Sequence, residues 1–300
     1  MRSWAIQLQG LELPGADAAL VAASVDMLVI EPTRTVRGME AFATRALVRR
    51  ITASPGESGG RKLCLAYVNV GQAEDYRTYW QPTWRAPSRD AAGAPDFLLA
   101  LDPDGWPGNY PVAFWTPAWR RVAGELIEAA AADGFDGAYL DWVLGYQEPA
   151  VVEAARRQGV DPVAAMVDLL LELRGRARAV HAGFVLVAQN AAELVALDPR
   201  FSSAVDGVSQ EDLSFRGEAG AGWDDAAAGD IATSEDDAAL LADRLRACRQ
   251  RGLCVFTLDY ARLPQHVDVA RHRARAVGAV PCVSRVALDR LDPQCASPAR

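Results

Sequence analysis

The sequence predicts a (β/α)8 barrel of the TIM type. It forms one domain over residues 1–290, with long loops at its C-terminal face and a loose tail over 291–300. Three observations carry this reading. Eight short β-rich runs recur along the chain, helical stretches separate most of them, and no linker or internal repeat divides the 300 residues. An open doubly wound sheet is the alternative for the same alternation. The count of eight, and the lack of a glycine-rich nucleotide loop after the first run, favour the barrel.

The strand runs are Trp4–Leu8, Met27–Ile30, Leu63–Val70, Gly137–Asp141, Phe184–Ala188, Gly207–Ser209, Cys254–Leu258 and Val280–Val283. They are near-continuously apolar, as parallel strands covered on both faces must be. Between them, Ala16–Ala23 reads as a short helix, and Met39–Ile51 follows a glycine. Pro117–Ala132 has Thr116 to cap its first turn, a proline where the missing N–H is harmless, and Gly134 beyond its end. Pro162–Val180 repeats the pattern behind Asp161. Ala191–Ala196 is short, Glu235–Arg251 begins after Ser234, and His266–Val277 is the last helix.

Loop lengths are lopsided. Helix-to-strand connections such as Asp133–Asp136, His181–Gly183, Gly252–Leu253 and Gly278–Ala279 are short. Strand-to-helix connections include three long excursions, Gly71–Thr116, Trp142–Asp161 and Asp212–Ser234. In a barrel all of these lie at the C-terminal face, where barrel enzymes do their chemistry.

Composition narrows the partners. Half the residues are hydrophobic and 23% are charged, enough for a full globular core. Net charge is 31 − 39 = −8, which argues against nucleic acid as a partner and would suit a cationic one. No apolar run reaches the ~18–20 residues of a membrane span. The opening MRSWAIQLQG lacks the basic-then-apolar layout of a signal peptide, so the chain is cytoplasmic as written or has lost a leader. Five cysteines without a CxxC argue against a disulfide framework and still more against a zinc site. The three histidines form no metal-ligand pair, so no metal is expected. Lys62 is the only lysine, which reads as a matter of base composition.

Several strands end in acids, carboxamides or a tyrosine: Glu31, Asn69 with Gln72 and Glu74, Asp141, Gln189-Asn190, Gln210-Glu211-Asp212 and Asp259-Tyr260. On barrel strands these would ring one mouth, where acids raise one another's pKa. Any single acid could instead cap the following helix, and Asp75 and Asp212 read that way. Paired carboxylates across a bond are what glycoside hydrolysis needs, one protonated and one ionised. Asp141 and Glu211, two strands apart, could face each other across a groove. Six of the eight tryptophans fall between Trp80 and Trp142, as sugar-stacking platforms or as a packed loop core. There is no GxSxG elbow and no phosphate loop.

Six separated blocks then resemble a known family. They are Val70-Gly71-Gln72-Ala73-Glu74-Asp75-Tyr76-Arg77 with Tyr79-Trp80, Gly108-Asn109-Tyr110-Pro111-Val112 with Phe114-Trp115, Gly134 to Asp141, Gln189-Asn190, Asp206-Gly207-Val208 with Glu211-Asp212, and Asp259-Tyr260-Ala261. In this order they are similar to glycoside hydrolase family 114, the endo-α-1,4-polygalactosaminidase-like barrels, over about Trp4 to Leu288. The resemblance implies cleavage of α-1,4-linked galactosamine or N-acetylgalactosamine polysaccharide without a cofactor. It implies Asp141 as nucleophile, or as base in an inverting course. It implies Glu211 as acid, with its pKa raised by burial and by its neighbour. Glu74, Tyr76, Asn109, Tyr110, Trp142, Gln189, Asn190, Asp259 and Tyr260 would position sugar. Gln72 stands where the family more often has Glu, and Glu31 where Asp is common. These departures, with Asp141-Trp142-Val143-Leu144 after the fourth strand, bear on the substrate subsite more than on the chemistry. The family's enzymes are commonly exported. A kinship with cysteinyl-tRNA synthetase, once attached to this family, gains no support from the residues. A non-catalytic glycan-binding barrel and a carbohydrate esterase or epimerase remain open alternatives.

Overall fold

The computed structural model describes residues 1–33 and 42–295. Among them, eight parallel strands form the (β/α)8 barrel, each paired with the next in chain order. They are β1 (Trp4–Gln7), β2 (Met27–Ile30), β3 (Leu63–Asn69), β4 (Gly137–Asp141), β5 (Val185–Gln189), β6 (Gly207–Glu211), β7 (Cys254–Tyr260) and β8 (Val280–Ser284). One side-chain and two backbone hydrogen bonds join the chain across the seam between the first and last strands. Trp4 Nε1 donates to Val280 O at 3.0 Å, and the Leu8 and Gln9 amides donate to Leu288 O at 2.9 and 3.0 Å.

The barrel interior is packed. Trp4 lies 5.9 Å from both the Tyr139 and Phe256 rings, and all three are buried. Tyr139 OH donates to Ser209 Oγ at 2.9 Å, which ties β4 to β6 below the mouth. Side chains alternate along a strand. Inward Tyr139 and Ser209 therefore put Asp141 and Glu211, two residues on, at the inward rim.

Helices form where caps and prolines set them. Thr116 Oγ1 accepts from the Trp119 amide (3.5 Å) at the start of α3 (Pro117–Ala132). Asp161 Oδ1 accepts from the Val163 and Ala164 amides (2.9 and 3.2 Å) ahead of α5 (Pro162–Val180). Ser234 Oγ accepts from the Asp237 amide (3.1 Å) ahead of α8 (Glu235–Gln250). The earlier helices are α1 (Ala16–Ala22) and α2 (Thr44–Ala53), while residues 39–41 of the expected Met39–Ile51 helix lie outside the described residues. The excursion Trp142–Asp161 holds a helix the sequence reading missed, α4 (Pro149–Gln158), with proline at its start and Gly159 at φ 66° after its end. Short turns α6 (Leu194–Leu197) and α7 (Phe201–Ala204) take the place of Ala191–Ala196, and α9 (Pro264–Ala276) starts at its proline.

Lys62 has a structural task that base composition does not explain. Its side chain is fully buried, and Nζ donates to Val21 O (3.0 Å) at the carbonyl end of α1. Burial lowers its pKa.

The expectation against disulfides is corrected at one pair, Cys282–Cys295. A turn in which the Cys295 amide donates to Asp292 O (3.0 Å) folds residues 293–295 back beside β8. That proximity is long-range geometry, and the spacing of cysteines does not encode it. Cys64 and Cys248 are buried free thiols and Cys254 is an exposed one. Thiol titration of the unfolded, unreduced chain should therefore count three, and five after reduction. Five without reduction would contradict the bond.

Candidate active site

The mouth is built from strand ends. Asp141, at the end of β4, is partly open to it. Tyr67 OH on β3 donates to Asp141 Oδ2, and the Trp142 amide donates to Oδ1 at 2.7 Å. Burial pushes the Asp141 carboxyl up to about 7, with the charges of Glu211 and Glu74 adding and the Tyr67 hydroxyl opposing. Glu211, at the end of β6, gathers three donors: Gln189 Nε2, Asn190 Nδ2 (2.8 Å) and Tyr260 OH. Asn190 also grips the backbone, its Oδ1 accepting from the Glu211 amide at 2.8 Å and from Gln210 Nε2 at 3.1 Å. The structure thus brings Asp141, Gln189, Asn190, Glu211 and Tyr260 together.

Three consecutive strands, β4 to β6, are each followed by a non-glycine residue in the left-handed region: Trp142 (φ 56°), Asn190 (φ 53°) and Asp212 (φ 59°). Trp142 is buried, and its carbonyl comes so near Gly71 that a Cβ there would lie 2.1 Å from it. Gly71 is the residue that lets the loop after β3 pass the end of β4. Trp142 itself packs over Gly145.

On the other side of the mouth sits a buried ion network. Arg77 spans Glu31 with Nη1–Oε2 2.6 Å and Nη2–Oε1 2.8 Å. It also reaches Glu74 with Nε–Oε2 2.7 Å and Nη2–Oε1 3.1 Å. Tyr76 OH donates to Glu74 Oε1 (2.6 Å), and the Glu74 amide donates to Tyr79 OH (2.7 Å). Burial pushes Glu31 up to about 7 against the pull of Arg77. Glu74 and Tyr76, expected to hold sugar, are thus engaged with protein partners.

Asn109 and Tyr110 lie on a short strand, Asn109–Pro111, paired with Gln72–Glu74. Asn109 Nδ2 donates to Gln72 Oε1 at 3.3 Å, and Tyr110 OH donates to Asp75 Oδ2 at 3.0 Å. Asp75 therefore pairs with a tyrosine rather than capping a helix. Of the loop aromatics, Tyr79, Trp80, Trp84, Phe97, Tyr110 and Trp119 form one chain of ring contacts between 5.2 and 6.3 Å. That is a packed core for the long loop. Trp106 is 40% exposed and stays available at the surface.

Asp259 is fully buried and belongs to the frame. Its Oδ1 accepts from the Ser214 and Phe215 amides (2.5 and 3.0 Å), holding the loop after β6. Its neighbour Tyr260 reaches Glu211, so alternation turns Asp259 toward the helices. Asp212 caps nothing: Ser234 caps α8, and Asp212 Oδ1 is buried without a hydrogen-bond partner. Tyr67 and Arg77 received no role from the sequence. Strand parity could have found Tyr67, two residues before Asn69 on β3, whereas Arg77 meets Glu31 only through the fold. Among the described residues no group of three or more His, Cys, Asp or Glu could hold a metal ion.

The fold and this constellation define a class, the (β/α)8 barrels with acids converging at the C-terminal mouth. Within it, the family model described as glycoside-hydrolase family GH114 matches residues 1–300, and the chain belongs to that family. An uncharacterized protein of Deinococcus radiodurans is 37% identical over 227 residues, 76% of this chain and 65% of that protein. One from Thermotoga maritima is 30% identical over 152 residues, 50% of this chain and 44% of that protein. The chain thus spans less than two thirds of the length of these curated relatives. In fold it is similar to the glycoside hydrolase domain of PelA from Pseudomonas aeruginosa (TM-score 0.62, 21% identity, 96% of each chain). It is also similar to Aspergillus fumigatus Ega3, solved in complex with galactosamine (TM-score 0.63, 16% identity, 97% of this chain and 94% of that one).

Removing the shared cation tests the network. Arg77→Met should cost about 3–5 kcal/mol in urea unfolding, because it leaves Glu31 and Glu74 buried without their counter-charge. A loss below ~1 kcal/mol would show that the guanidinium is not what holds these acids in place.

Proposed function

We propose that this chain is an endo-acting glycoside hydrolase that cleaves α-1,4-linked galactosamine or N-acetylgalactosamine polysaccharide through Asp141 and Glu211. The observation that carries the reading is the convergence of these two acids at the inward rim of β4 and β6, close enough for the charge of Glu211 to raise Asp141. Family membership and the likeness to a barrel solved with galactosamine support the substrate class. The net charge of −8 suits a partly deacetylated, cationic polymer.

In this mechanism Glu211 gives its proton to the glycosidic oxygen as the C–O bond breaks. Asp141, ionised, attacks the anomeric carbon or takes a proton from the attacking water. Gln189, Asn190 and Tyr260 hold Glu211, and Tyr67 holds Asp141. The reaction needs one of the two acids protonated and the other ionised. Relieving the Glu211 charge by placing the proton there makes Asp141 easier to ionise. The elevated Asp141 carboxyl favours one second reading, with the roles exchanged. An aryl glycoside with an activated leaving group separates the two, because it bypasses the acid and still needs the nucleophile.

Mass spectrometry of acetylated and deacetylated galactosamine oligomers should show shorter chains with new reducing ends. Binding without cleavage would make the barrel a lectin-like module, and loss of acetate alone would make it an esterase. Asp141→Asn and Glu211→Gln should each lower kcat/KM at least ~10³-fold. If both leave cleavage intact, the assignment is wrong.

The pH dependence follows from Asp141. With its carboxyl near 7 and its working form ionised, kcat/KM should rise as pH is raised through about 7, whereas the exchanged roles expect a fall there. The Tyr67 hydroxyl pulls this value down, so Tyr67→Phe should move this limb to higher pH. An unmoved limb would disconnect Tyr67 from the reacting pair.

A further inference from the structure

The turn after β5 carries two residues that hold Glu211, and its far end is pinned by Glu193. Gln189 and Asn190 both reach the Glu211 carboxylate, and Asn190 Oδ1 accepts from the Glu211 amide at 2.8 Å. Three residues on, Glu193 Oε1 accepts from Tyr146 OH at 2.6 Å, and its Oε2 pairs with Arg244 Nη1. Tyr146 lies on the 3₁₀ turn Val143–Gln147 just after β4, and Arg244 lies on α8, which follows β6. Glu193 therefore ties together the segments that leave β4, β5 and β6, the strands that carry Asp141, Gln189 and Glu211. We propose that Glu193, gripped by Tyr146 and Arg244, is a positioning residue that holds Asn190 on Glu211. This deepens the hydrolase reading and rests on it for what Glu211 does.

Asn190 needs such an anchor. Its backbone is left-handed at φ 53°, and a non-glycine residue stays there only where its surroundings over-determine it. One side of the turn is fixed by the Asn190 amide, which donates to Ser209 O at 2.8 Å. The pairing of β5 with β6 ends there, at Gln189 and Ser209, and the Asn190 side chain becomes the acceptor for the Glu211 amide. The other side begins with buried Ala191 and Ala192, whose side chains can pack but cannot hydrogen-bond. Cys248 Sγ on α8 donates to Ala192 O at 3.4 Å, and a thiol is a weak donor. Glu193 supplies the strong bonds. Its side chain is 13% exposed, and two charge-assisted contacts from different elements converge on its one carboxylate. Burial and the bond to Glu193 push the buried Tyr146 hydroxyl up, so it remains the donor.

The test compares wild type with Glu193→Ala and reads both hydrogen exchange and cleavage of deacetylated α-1,4-galactosamine oligomers. The Glu211 amide, bonded to Asn190 Oδ1, should exchange at least ~10-fold faster in the variant, while amides of the β2–β3 ladder keep their rates. In cleavage kcat should fall about 10- to 100-fold with KM within about twofold, because misplacing a reacting group slows the bond-breaking step. Tyr146→Phe and Arg244→Met each release one arm, so each should give a smaller change of the same kind, and they carry the test if Glu193→Ala does not fold. Glu193→Gln keeps an acceptor for Tyr146 and loses the ion pair, so it should match Arg244→Met. An unchanged Glu211 amide, or ladder amides that speed up equally, overturns the positioning role and leaves the hydrolase reading standing. So does a faster Glu211 amide with kcat unchanged. A faster Glu211 amide alone, with no cleavage by wild type, keeps Glu193 as the residue that holds Asn190 on Glu211 and overturns the hydrolase reading.

Discussion

The constraint behind this mouth is the crowding of like charges out of water. Glu31, Glu74, Asp141, Glu211 and Asp212 stand at or just beyond the ends of four barrel strands, and three of them are pushed to about 7 or 8. Acids so placed repel each other and resist desolvation. Much of the local structure answers that cost. Arg77 takes two of them, Tyr67 one, and the trio of Gln189, Asn190 and Tyr260 another. Asp212 is left with a buried, unpartnered oxygen, as is Asp259 at the end of β7. A fold under pressure only for stability would replace such a ring with apolar residues. Its presence is a physical argument for function, independent of family membership.

Strand parity decides which acid faces the mouth and which braces a loop. Each strand end offers adjacent polar residues, and only one of two neighbours on a regular strand can face inward. On β7 it is Tyr260, so Asp259 turns outward and pins the Ser214–Phe215 loop. On β6 it is Glu211, while Gln210 turns to the side and braces Asn190. Asn190 escapes the rule because its backbone is left-handed at φ 53°. That turn lets two consecutive residues, Gln189 and Asn190, reach the same carboxylate. Left-handed non-glycine residues cost of order 1–3 kcal/mol each, and here three occur one residue beyond β4, β5 and β6.

The fold was legible because its signals are local. Eight apolar runs and proline-capped helices announce a barrel, and the uneven loops announce its working face. Strand ends were less legible. The runs ending at Ser209 and Leu258 extend to Glu211 and Tyr260 in the ladder, because hydrogen bonding continues through polar residues that carry no apolar signal. Asp141 and Glu211 could be singled out, since acids at strand ends are conspicuous. The long-range partners could not. Arg77 is 46 residues from Glu31, and Tyr67 is 74 from Asp141. Lys62 looked like an accident of composition until the buried end of α1 gave it a partner.

The loop after β3 reaches the mouth through its own packing. Its aromatic residues pack on one another and on Trp119, whose indole donates to Val70 O at 2.8 Å. That packing fixes the segment from Gly71 to Arg77, and Gly71 in turn leaves room for the Trp142 carbonyl. Trp142 gives its amide to Asp141. A chain of close contacts thus runs from an aromatic loop core to the Asp141 carboxylate. The tryptophans concentrated here by the sequence are better understood as the foundation of that wall, while Trp106 is 40% exposed.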